Sequence, residues 1–310
     1  MLKPRILVVG AGAVGGYFGG RLAAAGRDVT FLVRPERARV LRDRGLLIES
    51  PLGDAAVTPQ LVLAADIQDA YDIVFLSLKA YALEAGLDDF APAIGPGSVI
   101  LPVLNGLQHM DLLARRFGAA HLIGGVCRIA AQLQDGRIRQ LSALQQIAYG
   151  ELNGDRTPRI AQVDAVMQGV GFDAVVSDHI VQDMWEKWIQ LAGLGAITCL
   201  FGGPVGRVAS VQGGPEIASA LWGECAEVAR QCGHAPSPAF ATSVLSQLTD
   251  PGSSLTSSMY RDTKAGAPVE VESILGDLVT RARSAGVATP LLQAAAVALR
   301  IYAAGLAAQR

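Results

Sequence analysis

Residues 5–26 read RILVVGAGAVGGYFGGRLAAAG, and the way this stretch is punctuated decides the fold. An apolar run, Ile6–Val9, enters Gly10, Gly12 and Gly15, and a helix-forming stretch follows at once. GxGxxG alone is a common pattern; set directly between a strand and a helix, it is the turn on which a dinucleotide pyrophosphate rests. Gly10 permits the tight turn, Gly12 lets backbone approach the pyrophosphate, and Gly15 lets helix and strand pack closely. Ala13 and Val14 belong to the same cofactor-binding turn, where the helix N-terminus offers free N–H groups and a favourable dipole. Lys3 and Arg5 before the apolar run, with AAAG at 23–26, loosely imitate a secretory leader. Six glycines between 10 and 20 break any apolar segment of that kind.

Outward from this turn, DVTFLV, DIVFLSL, SVILPV and HLIGGV alternate with helix-length segments, which is the pattern of a parallel sheet wound with crossover helices. Around 130–150 the style changes, and QDG at 134–136 reads as a turn between paired antiparallel strands added at the sheet's edge. After about residue 177, strand patterns give way to Ala-rich segments with apolar residues at three and four spacing. The expected architecture is α/β: an N-terminal Rossmann-type, doubly wound, mostly parallel sheet over 1–176, then an all-helical substrate and catalytic domain over 177–310. Trp188–Gly206 carries no charge, but its glycines and Pro204 suit a buried helix followed by a loop better than a membrane span.

Composition narrows the partners. The 26 basic and 28 acidic residues nearly cancel, so no basic stripe exists for a nucleic acid, and a small molecule is the expected ligand. Cys127, Cys199, Cys225 and Cys232 form no close metal-ligand pair and read as reduced thiols of a cytoplasmic protein, with no metal site. The apolar C-terminal helices suit a homodimer.

The end of the second strand bears on cofactor choice. An acid there would hold a ribose 2′-hydroxyl, whereas DVTFLVR ends in Val33 and Arg34, whose planar fork suits a 2′-phosphate. NADPH is therefore expected. Glu36 is the competing residue, although Pro35 starts a helix whose first turn accommodates an acid. Two more strand ends face the same crevice, delivering Lys79 from FLSLKAY and Asn105 from ILPVLNGL.

The segments GAGAVGGYFGGRLAAAG, FLVR, SLKAY, LNG, the Gly124-Gly125 pair, WEKW and SSMYRDTKAGAPVEVESILG together resemble the ketopantoate reductases, or 2-dehydropantoate 2-reductases, over nearly the whole chain. The resemblance implies NADPH reduction of a 2-keto acid in a cleft between a Rossmann and a helical domain. It makes Lys187 the general acid that protonates the keto oxygen, Glu270 its acidic partner, and Ser258 and Asn105 substrate-holding groups. It also places Lys79 and Asn105 near the nicotinamide and Arg34 at the 2′-phosphate. The chemistry agrees, because hydride addition generates alkoxide charge that a lysine within reach can neutralise.

The bland readings are a surface pairing of Lys187 with Asp183, a helix cap at Ser258, and a first-turn acid at Glu270 after Pro268. The departures from the family pattern lie in the pocket. The asparagines that follow the lysine four and eight residues on are here Leu191 and Gly195, and Leu255 and Leu275 replace further amides. If each lost amide contact is worth about 1–1.5 kcal/mol, losing two weakens ketopantoate binding roughly 30- to 200-fold. The expected pocket is apolar and roomy. Reduction of another 2-oxo acid, ketone or imine is the alternative, followed by a non-catalytic NADP(H)-binding sensor.

Overall fold

The computed structural model describes residues 3–308. The chain divides into two compact units. One runs through Leu104 and resumes over His109–Val181; the other comprises Asn105–Gln108 and the chain from Gln182 onward. The sequence reading sets this division at 176/177.

The first unit contains, in order, β1 (Arg5–Val9), α1 (Ala13–Ala24), β2 (Asp28–Leu32), α2 (Pro35–Arg44), β3 (Leu46–Glu49), β4 (Ala55–Val57), β5 (Gln60–Val62), β6 (Ile73–Leu76), α3 (Ala80–Phe90), β7 (Val99–Pro102), α4 (Gln108–Phe117, whose first residue belongs to the second unit), β8 (Gly124–Gln134), β9 (Arg137–Gly150), α5 (Pro158–Met167) and β10 (Asp173–Val176). One sheet has the order β5-β2-β1-β6-β7 with all neighbours parallel. Its central strand is buried on both faces, and the two-residue period divides it between two cores. Ile6 and Val8 pack with Tyr17, Phe18 and Leu22 of α1, while Leu7 and Val9 pack with Leu83, Leu87 and Phe90 of α3. At about 1.5–3 kcal/mol for each fully buried aliphatic side chain, this double burial keeps β1 at the centre.

The antiparallel strands of 124–150 do not extend that sheet. They form a second one, ordered β10-β9-β3-β4 with β8 on β9; HLIGGV meets the parallel sheet through an isolated bridge between Leu122 and Ile100, and its last three residues open β8. The physical reason lies in α1. Gly15 and Gly19 face the parallel sheet, where an added Cβ would collide with Ser77 and with Phe31 and Val8; Gly16 and Gly20 face the other way, against Ile138 and against Leu46 and Ile48. The four glycines make α1 thin on two sides, so it lies between two sheets. The predicted QDG turn is present, with Asp135 at φ 51° and Gly136 at φ 81°, the left-handed pair that a two-residue hairpin requires.

The second unit is helical: α6 (Ile180–Leu200, whose first two residues belong to the first unit), α7 (Val205–Ala209), α8 (Gly214–Gln231), α9 (Pro238–Leu248), α10 (Ser258–Lys264), a π-turn (Glu272–Gly276), α11 (Asp277–Ser284) and α12 (Pro290–Ala308). Two of these helices carry serine caps: Ser237 accepts from the Phe240 amide and Ser257 from the Tyr260 amide. α12 buries Leu292, Ala295, Ala296 and Leu299 at helical spacing. By length and composition it is also apolar enough to cross a membrane, with a mean hydropathy of 1.6.

Candidate functional site

Within the first unit the glycine turn has the geometry that phosphate binding needs. Gly10 stands at φ +95°, a value that only glycine adopts cheaply, and its amide donates to the Leu32 carbonyl at the end of β2. A Cβ on Gly15 would overlap the Gly10 carbonyl, while one on Gly12 would meet nothing. The turn is thus closed on its protein side and open on the other. Ser77 at the end of β6 braces it, its hydroxyl donating to the Val9 and Gly10 carbonyls at 3.0 and 3.1 Å. No side chain caps α1, and its first turn, with Ala13 and Val14, carries no acid, so the amides at its N-terminus are left for an anion.

Arg34 is the exposed N-cap of α2, with Pro35 opening the helix and Glu36 exposed in its first turn. Arg37, one turn on, is not singled out by sequence reading. Its Nε donates to the Ala11 carbonyl within the glycine turn at 3.2 Å and its Nη1 to the Gly136 carbonyl at 3.5 Å, while its Nη2 is buried without a partner. Burial also holds its pKa below the usual arginine value. The sequence signal was the three-residue spacing from Arg34, which sets both on one side of the first turn. A cavity of about 740 Å³ opens along α2 towards the hairpin tip, lined by Arg37, Asp135 and Gly136 among others, and none of the residues predicted from sequence to bind or react lines it. Lys79 is the exposed N-cap of α3.

In the helical unit, Lys187 is half-buried on α6. Trp185 and Trp188 beside it are 4% and 1% exposed, with ring centroids 5.0 Å apart. The Arg281 guanidinium lies over both rings, at 5.7 and 5.4 Å, and its Nε pairs with Asp277 at 3.2 Å. His234 stacks on Trp185, and burial first, then the Arg281 charge, lowers its pKa and favours neutral imidazole. The flanking tryptophans are therefore anchors, and the lysine's place on the helix follows from theirs.

Glu270 is buried just before the π-turn. Ser273 donates to the Glu270 carbonyl from its hydroxyl at 3.2 Å, as does the Ile274 amide at 3.2 Å, and the Trp188 indole donates to the Ile274 carbonyl at 2.9 Å. Half-buried Asn105 precedes Gly106, which has φ +81° and sits so close to the Ser273 carbonyl that a Cβ would overlap it. Lys187, Glu270 and Asn105 thus all neighbour residues that touch one short segment.

Three expectations change on this geometry. Gly195 does not leave room: the space its side chain would take is filled by Cε of Met259, which is 1% exposed. Leu191 is a half-buried apolar residue on α6, and the helix gains no space at Gly195. Leu275 is fully buried core, whereas Leu255 is 38% exposed. The cap of α10 is Ser257, whose buried hydroxyl also bonds Thr198 at 2.7 Å; Ser258 is the half-buried first helical residue, with no hydrogen-bonded side-chain partner among the described residues.

Comparison with known proteins gives a consistent result. The family model described as ketopantoate reductase PanE/ApbA matches residues 6–154, and its C-terminal counterpart matches 179–303. An uncharacterized oxidoreductase of Bacillus subtilis, YkpB, is 37% identical, covering 97% of this chain and 99% of its own. A 2-dehydropantoate 2-reductase of Mesorhizobium japonicum is 27% identical over 96% of this chain and 97% of its own. A crystal structure of 2-dehydropantoate 2-reductase from Geobacter metallireducens superposes with a TM-score of 0.86 at 26% identity, covering 96% of this chain and 99% of that one.

Proposed function

We propose a specific cofactor, substrate and set of residue roles for this chain, which belongs to the ketopantoate reductase PanE/ApbA family. It is an oxidoreductase of the ketopantoate reductase type, a family that reduces 2-oxo acids with a nicotinamide cofactor. The proposed cofactor is NADPH and the first candidate substrate is 2-dehydropantoate, reduced to pantoate. The observation that carries the reading is Lys187 fixed between two buried tryptophans on a helix bonded to the segment that follows Glu270.

The residues present fit the cofactor. Gly10, Gly12 and Gly15 with the first turn of α1 would hold the pyrophosphate, and Lys79 and Asn105 would hold the nicotinamide end. Arg34 and Arg37 would hold the 2′-phosphate, the buried unpartnered Nη2 of Arg37 being a donor that lacks an acceptor. When bound, the reduced nicotinamide supplies a hydride to the substrate carbonyl. Lys187 Nζ donates the proton that neutralises the developing alkoxide, a role worth about 10²–10⁴ in rate. Glu270 offsets the desolvation of that ammonium and keeps it oriented. Ser258 and Asn105 hold the polar groups of the substrate, and Leu191 meets its apolar part.

Leu191 and the Met259-filled Gly195 favour a second reading, in which the substrate is a 2-oxo acid less polar than ketopantoate. NADPH oxidation followed by absorbance, with ketopantoate beside 2-oxo acids of increasing apolar bulk and each repeated with NADH, tests both. Efficient ketopantoate turnover supports the first reading, turnover only of apolar 2-oxo acids the second, and turnover of none overturns both. A homodimer is proposed as well, checked by mass in solution from light scattering.

A further inference from the structure

The π-turn Glu272–Gly276 touches Trp188, next to Lys187, and Gly106, next to Asn105, and it follows Glu270 in the chain. A helical segment whose hydrogen bonds run from residue i to i+5 is rare, and such turns are frequently found at functional sites. Here the widening has identifiable supports. Glu272 folds back over the turn and is held by Arg300 of α12 through two bonds of 2.7 Å, which lower its pKa. Gly276 is the residue beneath that carboxylate, where a Cβ would overlap Glu272 Oε2. Two carbonyls of the turn have further neighbours: Ile274 accepts the Trp188 indole, and Ser273 receives the close approach of Gly106.

We propose that this π-turn is the positioning element of the active site, setting Lys187 through Trp188, Asn105 through Gly106, and Glu270 directly, with Trp188 as the positioning residue for the general acid. This rests on the functional reading above, in which those three residues act on substrate. The physical argument is one of reference points. Lys187 has a long flexible stem, so its ammonium is placed only as well as its helix is placed in rotation and height. The indole bond fixes both against the same backbone that carries Glu270, and the Gly106 contact fixes the Asn105 turn against the adjacent carbonyl. A regular α-helical turn at 272–276 would rotate every later residue by about 100°, since one residue advances a helix by that angle, and so would separate the contacts.

The test compares Trp188→Phe, which keeps an aromatic ring and removes the bond to Ile274, with Trp222→Phe, a core tryptophan of α8 packed against Phe240. In the full chain with NADPH bound, the lysines at 3, 79, 187 and 264 are few enough for each amine to be followed by NMR after ¹³C-dimethylation, Lys187→Arg assigning the signal. Trp188→Phe should shift the titration midpoint of the Lys187 amine and lower kcat roughly 100-fold, the cost of about 1 Å of misplacement, with NADPH affinity unchanged. Trp222→Phe should lower the melting temperature comparably and move neither. If Trp188→Phe leaves the Lys187 midpoint and kcat at wild-type values, or if Trp222→Phe moves both as far, the proposal falls. Should Trp188→Phe fail to fold, Gly276→Ala, which displaces the Glu272 carboxylate, is expected to give the same pair of changes. A wild-type protein that reduces no 2-oxo acid, while Trp188→Phe alone shifts the Lys187 midpoint, would sink the functional reading and leave the positioning role standing.

Discussion

Met259 and Gly195 allow the packing of the predicted pocket wall to be tested by a double-mutant cycle. Gly195 lies buried on α6, and a Cβ there would stand closer than 3.0 Å to Met259 Cε, a separation that real side chains do not tolerate. Gly195→Ala gains about 0.5–1 kcal/mol of helix propensity. It loses about 1–3 kcal/mol to overpacking, because the neighbour is 1% exposed and has little space to move into. The net expectation is a destabilisation of about 1 kcal/mol, softened by the flexibility of methionine. Met259→Ala alone should cost about 2–5 kcal/mol as a cavity. In the double variant the clash is gone and the propensity gain remains, so the pair should be more stable than the sum of singles by about 1–3 kcal/mol. Urea unfolding read by tryptophan fluorescence, which samples Trp185, Trp188 and Trp222 of the helical unit, measures this directly. Additivity within about 0.5 kcal/mol would mean that Met259 does not occupy the space above Gly195, and the pocket would be roomy after all. If the coupling is found, Leu191→Asn is the variant that adds an amide on the same helix face without a clash at Gly195, and it should raise ketopantoate kcat/KM about 5- to 12-fold.

Lys187→Ala should lower kcat by about 10²–10⁴ with NADPH affinity intact, and unchanged turnover would remove the lysine from the mechanism. Arg34→Ala and Arg37→Ala should each weaken adenosine 2′,5′-bisphosphate roughly 10- to 150-fold, as for a lost hydrogen bond to a charged group, while leaving 5′-AMP unaffected in calorimetric titration. Equal losses for both ligands at Arg37 would make it a strut between Ala11 and Gly136 and nothing more. Glu151, 5% exposed, accepts from Arg159 and Thr157, and the Arg159 bond above all depresses its pKa below the usual value of 4.5. A depressed folded pKa means stability present above that usual value and lost as pH falls through the folded one. Glu151→Gln should therefore destabilise by about 1.5–3 kcal/mol at neutral pH and flatten this acid-side loss, measured as melting temperature against pH.

The strand-turn-helix at 5–26 was readable from sequence because its determinants are local: a positive φ at Gly10, a close approach at Gly15, and an apolar run buried on both faces. The hairpin turn at Asp135 and Gly136 was readable for the same reason, since two residues carry the whole backbone requirement. The helical half was legible as helices because apolar residues at three and four spacing are a property of single segments. What the sequence alone could not assign was which segments meet. Gly16 and Gly20 look like spare glycines until Ile138, Leu46 and Ile48 arrive on them from a second sheet, and the room expected at Gly195 disappears only when Met259, sixty-four residues on, folds over it. Arg37 becomes a candidate ligand only because its fork reaches the Ala11 carbonyl. The π-turn is likewise invisible in ESILG, because helix register there depends on Trp188, Arg300 and Gly106, which lie 86, 28 and 167 residues from the atoms they touch. Local backbone preference is written in neighbouring residues; packing between distant segments is decided by shape and hydrogen-bond partners that exist only once the chain has closed on itself.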